Sequence, residues 1–201
     1  MTIDAFNSAL ASSSPTPGGG TASAIALGQA ASLTCMVAEL TLANEKWRDG
    51  WDISNRCLEL ATPMIPRSGE LAQEDSDAFD QVMASFRLPK QDRDDLEKRK
   101  QAIQASTLNA ALVPLETAQQ SVSLLSQLTE LARDGNKNAV TDVGVAALLA
   151  SAAAKGALFN VQININSLKE VDTSLTDEVQ QLSESAKQLS RQVMEEVRRH
   201  L

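Results

Sequence analysis

The sequence predicts an all-α protein, a single-domain, multi-helix bundle over residues 1–201. Three observations carry this. Apolar residues recur at helical spacing almost end to end, with alanine and leucine common and aromatic residues only 3% of the chain. Two segments, Thr21 to Ser32 and Ala139 to Gly156, are built mostly of small residues and suit helices that pack closely. The C-terminal stretch Asp172 to His200 repeats Leu175, Val179, Leu182, Ala186, Leu189, Val193 and Val197 along one stripe, the pattern of an amphipathic helix.

The elements follow in order. A short helix is expected from about Thr2 to Ala11. It cannot continue through Pro15 and Pro17, because proline breaks a helix interior and pushes the residue before it to an extended conformation. Gly18, Gly19 and Gly20 then free the backbone to approach a neighbour closely and to adopt positive φ. A second helix is expected from about Thr21 to Asn44, followed by a turn at Trp47-Arg48-Asp49-Gly50-Trp51. Helical pattern resumes near Asp52 and reaches about Phe86, with Pro63 and Pro66 expected to kink or break it. After Leu88-Pro89, the acids Asp92, Asp94 and Asp95 suit the positive end of a new helix. That helix runs to about Arg133, kinked near Pro114, and stops at Asp134-Gly135-Asn136. Val161 to Asn166 alternates apolar and polar residues, formally a strand pattern. A lone strand has nothing to pair with, so this segment too is read as helix.

Composition narrows the chemistry. A net charge of −8 argues against nucleic acid or an anionic membrane surface as partner. No uninterrupted apolar run reaches the roughly 18 residues of a spanning helix, and Met1 to Phe6 lacks the basic region of a secretory signal. Cys35 and Cys57 have no metal-ligand spacing and read as reduced thiols of a cytoplasmic protein. The single histidine, His200, lies one residue from the end and tyrosine is absent. A Ser-His-Asp or Cys-His centre is thereby excluded unless the tail supplies it. Acid–base work falls to Asp, Glu, Lys, Cys or the substrate's own groups.

Four places could carry that work. The turn Pro17-Gly18-Gly19-Gly20 feeds a helix N-terminus, whose free N–H groups suit a carboxylate or phosphate; a tight connection between crowded helices is the plainer reading. Glu74-Asp75-Ser76-Asp77-Ala78-Phe79-Asp80 crowds carboxylates, and like charges raise one another's pKa; a solvated acidic face would look the same. Arg87-Leu88-Pro89-Lys90 holds two cations around a rigid corner that could bind an anion or cap a helix. Gly135-Asn136 with Thr141-Asp142 opens a small-residue helix that looks buried, where a carboxylate needs a partner or a task. Downstream, Asn160 and Asn164 set amides among apolar residues, fit for a heterocycle or for the backbone.

Ser13 to Gly20, Glu74-Asp75 with Ala78-Phe79, Arg87 to Lys90, Gly135-Asn136 with Thr141-Asp142, and Asn160-Val161 with Ile163-Asn164 occur together and in order. In this the chain resembles the formiminotransferase-cyclodeaminase C-terminal family, which includes stand-alone methenyltetrahydrofolate cyclohydrolases, over about Ile3 to Val171. The resemblance implies a helical homodimer that interconverts one-carbon adducts of tetrahydrofolate, with no metal and no permanently bound cofactor. It also implies that Asp75 and Asp142 transfer protons, with Lys90 or Arg87 tuning them or holding substrate. Pro17, Gly18, Gly19 and Gly20 would hold the pterin or glutamate end through backbone N–H groups, and Lys46, Asn136, Thr141, Asn160 and Asn164 would complete the binding surface. Two departures stand out. Lys46, in Asn44-Glu45-Lys46-Trp47, is the only base where many members carry a basic run, and Thr141 replaces the usual serine.

Three functions are carried forward. Hydrolysis of 5,10-methenyltetrahydrofolate to 10-formyltetrahydrofolate is preferred, since no transferase portion is present to deliver a formimino group. Cyclodeamination of formiminotetrahydrofolate is the alternative, and a folate-binding helical module without turnover is the third. The abundance of apolar surface on the small-residue and amphipathic helices points independently to a dimer.

Overall fold

The computed structural model describes residues 2–169 and 172–201, so Val171, at the edge of the resemblance, lies outside the described residues. Among the described residues six α-helices follow one another: α1 (Ile3–Leu10), α2 (Gly19–Leu42), α3 (Trp51–Phe86), α4 (Arg93–Asp134), α5 (Val140–Ile165) and α6 (Thr173–Arg198). Short 3₁₀ turns, Glu45–Gly50 and Lys137–Ala139, precede α3 and α5. Among the described residues there is no strand, and Val161 to Ile165 completes α5 as expected.

Local chemistry accounts for the boundaries. The Thr2 hydroxyl accepts the Ala5 N–H and so caps α1. Asp92 and Asp172 cap α4 and α6 in the same way, through Asp95 N–H and Ser174 N–H. α2 starts earlier than expected, so Gly19 and Gly20 are its first turn. None of the described glycines has a positive φ, which corrects one of the two uses expected of the triplet. Close approach is the one that operates.

The prolines do not break their helices. α3 is continuous through Pro63 and Pro66, both on its exposed side, where water can satisfy the carbonyls they leave without a partner. Pro114 is buried, and α4 still runs through it. The carbonyl of Ala110, which has no N–H to receive from Pro114, accepts the Asn164 side-chain amide at 2.8 Å instead.

Helices α2 to α5 form an up-and-down bundle in which α2 packs on α3 and α5, and α4 packs on the other side of both. α6 lies in the groove between α4 and α5, burying Val179, Ala186, Val193 and Val197 of the expected stripe. Leu27, Val37, Leu71, Leu124, Leu128 and Val143 are fully buried at the centre. Small residues bring the helices together: a Cβ on Gly28 would collide with the Ser68 hydroxyl of α3, and one on Gly156 with the Ser23 hydroxyl of α2. α2 and residues 137–165 are long and apolar enough to cross a membrane by length and composition, although neither is an uninterrupted apolar run. In the fold both are walls of the bundle.

Arg67 locks α3 to α4. Its guanidinium donates to Glu116 at 2.8 and 2.9 Å and to Glu74 at 2.6 and 2.9 Å. Arg67 is 28% exposed and the two carboxylates 43% and 38%, so water screens the network. Bidentate geometry nevertheless makes it worth about 1–2 kcal/mol. Its hydrogen bonds hold the Glu116 carboxyl below the usual glutamate range. A lowered carboxylate pKa contributes stability that is present above the unfolded value and lost as pH falls through the folded one. Arg67→Met should therefore be less stable in urea titrations at neutral pH, with the deficit shrinking below the ordinary glutamate range. A deficit independent of pH would assign the effect to packing.

Candidate active site

Asp75 is on α3 where that helix passes the first turn of α2, and its carboxylate takes the place a Cβ of Gly20 would need, 2.6 Å from the carboxyl carbon. Only glycine permits this approach. The Thr21 hydroxyl donates to Asp75 Oδ2 at 3.0 Å and accepts the Gly18 N–H at 3.4 Å. The Ser76 hydroxyl lies 3.3 Å from the same oxygen of Thr21. The anion at the N-terminus of α2 is thus Asp75 itself, where sequence reasoning expected a group of the substrate.

Burial pushes the Asp75 carboxyl above its ordinary value, against the lowering effect of the Thr21 hydrogen bonds. The direction matches the expectation and the cause does not. Asp77 and Asp80 are exposed and contribute no part of the shift, which comes from desolvation rather than from like charge.

Thr21 and Ser76 also line a cleft of about 800 Å³, together with Phe6 of α1, Pro17, Ile25, Asp77 and Asp80; Asp75 itself is not in its lining and adjoins it through the Thr21 hydroxyl. Its volume suits a small-molecule ligand of pterin size or larger. Pro17 therefore lines the cleft, Gly18 caps α2, and Gly19 faces Asn160, whose amide nitrogen is 3.7 Å from where a Cβ of Gly19 would be. Both asparagine amides serve the backbone: Asn160 donates to Gly156 O at 2.9 Å, and Asn164 donates to Asn160 O at 3.0 Å as well as to Ala110 O. Thr21 and Ser76 were not singled out as site residues. The signal that could have found Thr21 is its place three residues after Gly18, where a side chain receives the cap N–H.

The remaining expected residues lie elsewhere in the same chain. Arg87 ends α3, twelve residues past Asp75, about 18 Å along the axis. Lys90 follows it in the connection to α4. Eighteen residues of α5 separate Asp142 from Asn160, about 27 Å at helical rise. α2 and α5 are antiparallel, so Thr141 and Asp142 stand at the end where Asn136 N–H donates to Thr41 Oγ1 at 3.0 Å. Asn136 is used there structurally, accepting the Asn138 N–H and donating to Leu40 O. Lys46 lies over the Trp47 ring, 4.6 Å from its centre. Within one chain, then, Asp75, Asp142 and Lys90 are not brought together, because an antiparallel bundle sends the two ends of α5 to opposite ends of the molecule.

A family model, formiminotransferase-cyclodeaminase, matches residues 2–187. The chain is 34% identical to a methenyltetrahydrofolate cyclohydrolase of Methylorubrum extorquens, covering 84% of this chain and 81% of that protein. It is 31% identical to the formimidoyltransferase-cyclodeaminase of Gallus gallus over 96% of this chain but only 36% of that longer protein. A solved structure, formiminotetrahydrofolate cyclodeaminase of Thermotoga maritima, superposes with a TM-score of 0.82 at 25% identity, covering 100% of this chain and 96% of its own. The all-helical architecture is therefore shared along essentially the whole length, and the chain belongs to the formiminotransferase-cyclodeaminase family.

Proposed function

We infer that the protein is a folate one-carbon enzyme that hydrolyses 5,10-methenyltetrahydrofolate to 10-formyltetrahydrofolate. The observation that carries the reading is a half-buried carboxylate of raised pKa, Asp75, hydrogen-bonded to Thr21, which lines a cleft of about 800 Å³. A relative of similar length bears the cyclohydrolase name, which supports hydrolysis as the preferred reaction.

The chemistry is a hydration followed by ring opening. Water attacks the methenyl carbon and Asp75 accepts its proton as the C–O bond forms. The carbinol oxygen then loses its remaining proton to solvent as the C=O bond forms and the bond from that carbon to N5 breaks; Asp75 delivers the proton it holds to N5, the formyl group remains on N10, and one proton is released overall. A base whose pKa is raised toward neutrality serves both proton transfers. The Thr21 O–H keeps the accepting oxygen aimed. The steps draw on no cofactor. We also propose that the protein works as a homodimer in the cytoplasm. Two free thiols support a reducing compartment, and burial pushes the Cys57 thiol up to about 12, which keeps it unreactive.

Cyclodeamination is the second reading, favoured by the superposition along the whole chain on a cyclodeaminase. There a folate nitrogen attacks the formimino carbon and the acid form of Asp75 protonates the departing ammonia. One pocket serves both, because the cyclic methenyl cation is common to the two reactions. Loss of the methenyl chromophore and ammonia release from formiminotetrahydrofolate should be followed side by side. Chromophore loss faster than the spontaneous rate is expected. Fast ammonia release with chromophore loss at background would make the protein a cyclodeaminase, and neither reaction would leave a binding module.

A further inference from the structure

We propose that α1 is a lid over the cleft, hinged at residues 11–15, and that its Phe6 is the side chain that lies on a flat ring of the bound folate. The proposal rests on the folate reading given above and adds to it the part of the chain that closes the site. Its starting point is a helix with no place in the core. α1 buries no residue, whereas each of the other five helices does. Among the described residues no hydrogen bond or ion pair joins residues 2–17 to the rest of the chain. The Thr2 cap, the turn at Ala11 and Ser12, and the bond from the Ser14 N–H to the Ser12 hydroxyl are all internal. Isolated helices shorter than about 12 residues are marginal in water, and α1 has 8.

The helix does carry one apolar face. Ile3, Phe6 and Leu10 share a stripe at helical spacing, and Ile3 and Phe6 line the cleft. Phe6 is half-buried, yet Ile3 remains 77% exposed and Leu10 37%. The face is therefore turned toward the bundle without being packed on it, and the cleft is the space between. Three features fit that space to a flat ligand under a moving cover. First, the floor opposite α1 is built from Ala22 and Ala26 of α2 and Ala72 of α3, short side chains that leave room for a ring. Second, Phe6 is the only aromatic residue in the lining. Aromatic rings prefer offset stacking on flat partners, and the pterin and aminobenzoyl groups of a folate are both flat. Gln73 and Asp77 at the edge offer a donor and acceptors to such a ring. Third, α1 can move without disturbing the body. Ala11 to Pro15 are all exposed and can span up to about 17 Å when extended. The fixed part of the chain begins at Gly18, whose N–H donates to the Thr21 hydroxyl at 3.4 Å.

Hydrogen exchange reads the lid directly in the wild-type protein. Without ligand, the amides of Phe6 to Leu10 should exchange at least about tenfold faster than those of α2, and saturating 10-formyltetrahydrofolate, the proposed product, should slow them about tenfold. Protection equal to that of α2 before the folate is added would make α1 a fixed wall. Unchanged exchange with the folate bound would leave it no part in closing the site. Either result overturns the proposal. Phe6→Ala should raise KM about tenfold through the lost stacking and change kcat by no more than about threefold, since Asp75 and Thr21 stay on the body of the bundle. Phe6→Trp should restore the KM. The melting temperature of Phe6→Ala should match that of the wild type, because α1 buries no residue; this separates lost stacking from a damaged fold. An unchanged KM in Phe6→Ala would overturn the role given to Phe6. Calorimetry distinguishes the two levels of the argument. A wild-type protein that binds no folate refutes the proposed function and the lid with it, whereas binding with no change at α1 refutes the lid alone.

Discussion

Asp75→Asn is expected to lower turnover by about 10² or more, the usual scale for a lost acid–base group, with the fold retained. Asparagine is nearly isosteric, and its amide oxygen can still accept from the Thr21 hydroxyl that now donates to Asp75 at 3.0 Å. Stability should not fall at neutral pH. Burial raises the folded-state pKa of Asp75, so the folded state binds the proton more tightly than the unfolded state. The charged carboxylate therefore costs stability above its folded pKa, and that cost disappears as pH falls. Removing the charge at neutral pH relieves the cost. The activity profile runs the other way. Hydrolysis uses the ionised form, so the acid limb of wild-type turnover should lie above the ordinary aspartate range and should be absent from the residual rate of the variant. Turnover within a few-fold of wild type, or an unchanged acid limb, would remove Asp75 from the proton-transfer step.

Gly20→Ala should be nearly as damaging to activity while sparing the fold, an outcome unusual for a glycine near a helix start. The added Cβ would occupy the space of the Asp75 carboxyl group, whose carbon is 2.6 Å from the ideal position. Rotating Asp75 away relieves the collision, because a side chain rather than backbone is in the way, but it breaks the bond to Thr21. Alanine is also the better helix former, by up to about 1 kcal/mol, which offsets part of the lost contact. We expect turnover to drop by about 10², comparable with losing the carboxylate itself, and thermal unfolding to shift by only a few degrees. The two substitutions should not add when combined, since both abolish the same positioned group. Additive losses would mean that Gly20 serves the substrate directly, as a glycine-rich turn at a helix N-terminus can.

Much of the architecture was readable one segment at a time. Helices declare themselves through local periodicity and through capping residues such as Thr2, Asp92 and Asp172, and the amphipathic stripe of α6 names its buried face directly. The continuity of α3 and α4 was not readable. Whether a proline breaks a helix depends on what receives the carbonyl it abandons. For Pro114 that partner is Asn164, fifty residues away. For Pro63 and Pro66 it is solvent, available because those turns face outward.

The site divides along the same line. Residue types alone, with one histidine at the tail and no tyrosine, were enough to leave acid–base work to Asp, Glu, Lys, cysteine or the substrate's own groups, and the resemblance carried by the order of short motifs pointed to Asp75, Asp142 and the glycine turn. Which of these stand together was decided only in three dimensions. Antiparallel packing brings Gly20 and Thr21 of α2 onto Asp75 of α3 while carrying Asp142 to the opposite end of α5. The elevated pKa of Asp75 was likewise expected from neighbouring acids but arises from burial. Charge spacing is written along the chain, whereas desolvation exists only once another helix has displaced the water.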